Sequence, residues 1–197
     1  TKDWTRSLGE YSQRIVGNQD AIATGLDGSV YMSSGNNIFK FNIDGTIEWE
    51  LIFSNIDGED IRIRGMTTGE DGSIYVVGST NQDDIFISKF NPEGTKIWSR
   101  KYGSRRSDIA TSVITGLDGS IYVVGETKDD LDGQVNSNPY YNPSNFISKF
   151  SPDGTKSWTR LIQSSEFFPS GSSQIYGYNY SLSSGTLTTG LDGSIYI

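Results

Sequence analysis

The sequence predicts an all-β protein made of repeated four-stranded antiparallel units, and three observations lead there. One phrase occurs four times, as Thr24-Gly25-Leu26-Asp27-Gly28-Ser29-Val30-Tyr31 and again over 68–75, 115–122 and 189–196. A second occurs three times: 39–46 followed by Trp49, 88–95 followed by Trp98, and 148–155 followed by Trp158. The third is composition. With 23 Gly, 4 Trp, 11 Tyr and 9 Phe but only 34% hydrophobic residues, the chain has a turn-rich β profile and no comparable helical period. Four-stranded units of 40–50 residues, stacked face to face, are the blades of a β-propeller. Asp27, Asp71, Asp118 and Asp192 lie 44, 47 and 74 residues apart, so the third unit carries insertions.

In that third unit the pattern predicts strand a over 111–115, strand b over 120–125, strand c over 146–150 and strand d over 155–161. Asp118-Gly119 reads as a two-residue hairpin joining a to b. Pro152-Asp153-Gly154 joins c to d, Pro presetting one turn angle and Gly supplying another; Pro92-Glu93-Gly94 repeats that chemistry. Ile121-Tyr122-Val123-Val124 is apolar without alternation, as a strand covered on both faces should be. Phe146, Ser148 and Phe150 alternate with Ile147 and Lys149, which predicts a less buried strand. Each Trp offers a large surface to a neighbouring unit. The blades then run over 20–53, 61–102 and 109–162, with a d strand in 1–9 around Trp4 and a partial blade in 185–197. No strand c is found for that last blade. The expectation is therefore a partial ring or a fragment of a larger propeller, with open edges that invite another chain.

The series over 118–125, 146–150 and 152–160 (DGSIYVVG, FISKF, PDGTKSWTR) resembles the bacterial SBBP-type β-propeller repeat across essentially the whole chain. The resemblance implies a tandem array within a large surface-exposed or secreted protein. It supplies no catalytic residues. Asp44-Gly45-Thr46 with Trp49 also resembles the docking turns of quinone-dependent propeller enzymes, where that phrase locks blades and does not touch the cofactor.

With no Cys and no His, a Ser-His-Asp triad, a thiol nucleophile and the usual structural zinc sites are excluded. A net charge of -8 argues against nucleic acid, and no run reaches the roughly 18 apolar residues of a membrane-spanning helix. Connections a–b and c–d share one end of a blade, b–c and d–a the other, and every long connection falls at the second end. Two insertions stand out there. One holds Tyr140, Tyr141 and Asn142; the other holds Phe167, Phe168, Tyr176, Tyr178 and Tyr180 among Ser and Gly. Tyr gives contact area with little entropy loss and Asn gives hydrogen bonds, so these residues are the candidate ligand-binding set, for a glycan or a protein.

Asp129, Asp130 and Asp132 form a weak calcium candidate, since hard cations seek several carboxylate oxygens. Set as an EF-hand with Gly133 at its glycine, the loop puts Lys128 and Pro139 at ligand positions, so that motif fails. No other cofactor or metal is expected. Glycoside hydrolysis needs two carboxylates about 5–9.5 Å apart, and no pair is marked. The reading is a non-catalytic recognition or scaffold module outside the cell or on its surface. A self-associating structural repeat and a carboxylate-based polysaccharide hydrolase are the alternatives.

Overall fold

The computed structural model describes residues 21–136, 143–162 and 187–196, and every regular element in them is a β-strand. The first blade comprises β1 (Ile22–Thr24), β2 (Val30–Ser34), β3 (Asn37–Phe41) and β4 (Ile47–Ile52). The second comprises β5 (Asn55–Ile56), β6 (Glu59–Thr68), β7 (Ile74–Thr80), β8 (Ile85–Phe90) and β9 (Lys96–Tyr102). The third comprises β10 (Asp108–Thr115), β11 (Ile121–Thr127), β12 (Ser144–Phe150) and β13 (Lys156–Ile162); β14 (Thr188–Thr189) and β15 (Ile195–Tyr196) form a two-stranded sheet beyond it. Strands pair in chain order within each sheet, as blades of a propeller do. Successive strands a pack on one another, β1 on β6, β6 on β10 and β10 on β14, while strands d carry the exposed edges.

The central strand explains the missing alternation. On β7, Ile74 and Val76 enter the core shared with the first blade, and Tyr75 and Val77 enter the core shared with the third. Each face meets another sheet, so all seven residues of β7 are buried. Burying one such aliphatic or aromatic side chain stabilises by about 1.5–3 kcal/mol. The alternation expected for strand c holds on β12. It does not hold on β8, where Ile85, Phe86 and Ile87 are all buried because blades cover both sides.

Two expectations need correction. The strands run further toward the long-connection end than the apolar pattern indicated. The ladder continues through Asp108 opposite Thr127 and Thr127 opposite Ser144, polar residues that carry no hydrophobic signature. The repeated Asp-Gly turns are also not two-residue hairpins. Gly116 N donates to Ser120 O at 2.8 Å, Gly119 N donates to Gly116 O at 3.0 Å, and only Gly119 takes a positive φ, at 74°. The loop is thus Leu117-Asp118-Gly119, and Ser151–Thr155 closes in the same way over Gly154. Asp118 stays in the ordinary region because its carboxylate accepts the Ser120 N–H at 3.0 Å and hydroxyl at 2.8 Å. Those bonds hold its carboxyl below the usual range. A two-residue turn does form at Asp57-Gly58, where both residues have positive φ (52° and 83°) between paired Ile56 and Glu59.

The joints between blades repeat as faithfully as the strands. The Trp49 indole N–H donates to Pro92 O at 3.1 Å, and Trp98 donates to Pro152 O at 3.2 Å. Each ring lies over the glycine of that turn; a Cβ on Gly154 would come within 3.0 Å of Trp98. At the inner end, Thr68 Oγ1 donates to Thr24 O, Thr115 Oγ1 to Thr68 O and Thr189 Oγ1 to Thr115 O, at 2.7, 3.0 and 3.1 Å. Each Trp also packs on a Tyr of its own blade, Trp49 on Tyr31, Trp98 on Tyr75 and Trp158 on Tyr122.

Candidate functional site

On the third blade, Asn145 of β12 pairs with Ile162 of β13. The segment 137–142 therefore leads into β12, and the segment 163–186 leaves β13, from adjacent positions on one rim. Tyr140, Tyr141, Asn142, Phe167, Phe168, Tyr176, Tyr178 and Tyr180 lie outside the described residues, so the geometry speaks to the roots of these segments. The opposite rim carries the three-residue turns.

Beside those roots, residues 129–136 form an anchored turn. Leu131 is fully buried and bridges to Gln134 through two backbone hydrogen bonds. Asp130 Oδ1 accepts the Asn136 N–H at 2.8 Å, and Ser144 Oγ donates to Asn136 Oδ1 at 3.0 Å. Asp132, at φ 50°, accepts from Thr159 Oγ1 at 2.5 Å and from the Lys156 ammonium. Asp129 Oδ1 accepts the Asp130 N–H at 2.9 Å. The three carboxylates of the calcium candidate are thus turned to three different tasks, and among the described residues no group of three or more acidic side chains converges as a metal cage. Asp132 would have to leave Lys156 and Thr159 before it could serve a cation.

No repeat or motif in the sequence marks Glu59, Asp84 or Asp108, yet the fold gathers them where the second blade meets the third. Lys101 Nζ lies 2.5 Å from Glu59 and 3.6 Å from Asp84. Its hydrogen bond to Glu59 draws the carboxyl below its usual range and lifts the ammonium above its own. Gly103 lets two carboxylates close in: a Cβ there would sit 2.4 Å from Asp84 Oδ1 and 2.9 Å from Asp108 Oδ2. Asp108 is fully buried; Oδ2 accepts the Ser104 N–H, and Oδ1 has no hydrogen-bond partner. Burial pushes its pKa up, with nearby Asp84 adding to the rise. Closed to solvent, Asp108 can hold a proton but cannot reach a polysaccharide. Nothing in Arg106-Ser107-Asp108 marks it; burial arises only when β10 docks on the second blade.

Across the same junction Tyr102 packs on Phe150, with the Lys156 ammonium 4.3 Å from its ring centroid. Burial pushes its phenol far above the ordinary value.

A family model described as a domain of unknown function (DUF5122) beta-propeller matches residues 70–96. No curated protein matches the chain. Among solved structures, a protein of unknown function from Bacteroides caccae is 12% identical, covering 73% of this chain and 45% of its own, with a TM-score of 0.48. Quinohemoprotein alcohol dehydrogenase from Comamonas testosteroni is 12% identical over 68% of this chain and 26% of its own, with a TM-score of 0.49. Kuenenia stuttgartiensis hydrazine synthase is 12% identical over 72% of this chain and 48% of its own, at 0.38. The chain spans less than half the length of each. The matched residues 70–96 run from the a–b turn of the second blade through β7 and β8 to the first residue of β9, so the family model and the folded blade meet on the same hairpins. The chain folds as β-propeller blades.

Proposed function

We propose that the chain is a non-catalytic recognition or scaffold module of the SBBP type, carried by an extracellular or cell-surface protein. In this reading it binds a glycan or a protein through the Tyr- and Asn-rich segments on the rim of the third blade. The observation that carries it is the pairing of Asn145 with Ile162, which gives both segments adjacent roots on a rigid sheet. Long connections held on a rigid scaffold are where recognition residues concentrate, and Tyr beside Asn suits sugar rings and polar protein surfaces alike.

A glycan array probed with the chain, and with a variant in which 137–142 is replaced by Gly and Ser, tests this. The anchored turn 129–136 is left intact so that Leu131 stays buried. Saturable binding to one glycan class, lost in the variant while the melting temperature holds, is the expected outcome. Binding that survives both this replacement and a shortening of 163–186 would remove the rim from the argument. Failure on glycans alone leaves a protein ligand, for which the same variants decide.

A further inference from the structure

Asp-Gly is the dipeptide at which an aspartate rearranges most readily, because glycine has no Cβ to keep its amide nitrogen from the neighbouring carboxyl carbon. The chain contains eight such steps, so the fold supplies its own comparison. Six lie in the repeated turns. There Asp27, Asp44, Asp71, Asp118, Asp153 and Asp192 each accept the N–H two residues on, at 2.9–3.0 Å. Bonds from Ser120 and Ser194 hold the carboxyls of Asp118 and Asp192 below their usual range, and an ionised carboxylate is a poor target for an amide nitrogen. The seventh acid, Asp132, is turned to Lys156 and Thr159.

Asp57-Gly58 is built differently. Asp57 is exposed, and among the described residues its carboxylate has no hydrogen bond or ion pair. Gly58 faces open space, since a Cβ there would meet nothing within 4 Å. The turn is also lightly held. Its leading strand β5 has two residues, Asn55 opposite Asp60 and Ile56 opposite Glu59. Bringing the Gly58 nitrogen onto the Asp57 carboxyl needs rotation about the Cα–C bond of Asp57, which opens the turn. So short a strand opposes that opening with few hydrogen bonds.

We propose that Asp57-Gly58 is a modification site, at which the folded chain converts to isoaspartate ahead of its seven other Asp-Gly steps. The Gly58 nitrogen attacks Cγ of Asp57; the N–Cγ bond forms, and the carboxyl hydroxyl leaves with the amide proton as water. Water then opens the five-membered imide. Attack at Cγ restores Asp57, while attack at the main-chain carbonyl routes the backbone through Cβ and Cγ and leaves a free α-carboxylate. The main chain between Ile56 and Glu59 is then one carbon longer. Ile56 fills the core shared by the first and second blades, and Glu59 bonds to Lys101. Loss of register at this pair loosens both contacts. The reaction needs no ligand and is independent of the recognition reading.

The test holds the intact chain in warm neutral buffer made with heavy-oxygen water and maps its peptides by mass spectrometry over weeks. Isoaspartate carrying a heavy oxygen is expected at residue 57. It should form about tenfold faster than at Asp118, whose two hydrogen bonds must first break. In denaturant all the Asp-Gly steps should react alike, which assigns the selectivity to the fold. Ser120→Ala, which removes one bond to Asp118, should speed the reaction there and leave residue 57 unchanged. Asp57→Glu should stop the fall in melting temperature that the parent shows with age. Isoaspartate appearing first at any other step overturns the proposal. So does a residue 57 still unmodified in the folded chain when the denatured chain has reacted throughout, or a melting temperature that falls equally with age in Asp57→Glu.

Discussion

Asp108 shows how one side chain can oppose the fold that buries it. An unsatisfied buried acceptor costs about 1–3 kcal/mol, and its Oδ1 has no partner. The pKa is raised above the ordinary 3.8 by burial, with Asp84 adding, so the native state keeps this proton at pH values where the unfolded chain has released it. Its contribution to stability is therefore fullest below pH 3.8 and falls as pH rises toward the folded value. Asp108→Asn keeps an oxygen for the Ser104 N–H and brings an amide that can donate toward Asp84. We expect the variant to melt above the parent at pH 7, with the gap closing by about pH 3, in paired thermal melts. A variant less stable than the parent at every pH would mean that the charge itself holds the β10 entry in place.

At the scale of single elements, the turn 129–136 separates what the sequence carries from what it hides. Its three Asp residues look like cation ligands because a sequence shows residue type and spacing, not direction. The fold sends one carboxylate to Asn136, one to the Asp130 amide and one to Lys156 and Thr159. Millimolar calcium should accordingly leave the melting temperature unchanged, because only a ligand that prefers the native state shifts it. A rise of several degrees, abolished by Asp132→Asn, would reinstate the site. The strands b and the Trp positions were legible because they repeat in register and obey a burial rule. The Asp-Gly turns were legible as turns but not as loop lengths, since the choice depends on the Asx-type bonds from Ser29, Ser73 and Ser120. The cluster of Glu59, Asp84, Lys101 and Asp108 was not legible, because its members come from positions 59 to 108 and meet only after two blades dock.

For the molecule as a whole, stability lies in the joints between sheets, since each core is shared by two blades. Trp98→Phe, which loses the bond to Pro152 O, should cost about 1 kcal/mol. Gly154→Ala should cost about 1–2 kcal/mol, because its φ of 83° is left-handed backbone. The two losses should be less than additive in denaturant melts, both acting on one contact; strict additivity would argue that ring and turn do not work together. The threonine contacts at the inner end add a consequence of their own. Every hydroxyl gives its proton to the carbonyl of the preceding unit, never the reverse, so the series has a direction, like current in a wire. A contact of this kind has unlike halves and cannot be shared across a twofold axis. Any assembly that extends it must grow head to tail, all members facing the same way, and will end as a closed circle or an open filament according to the rotation at each step.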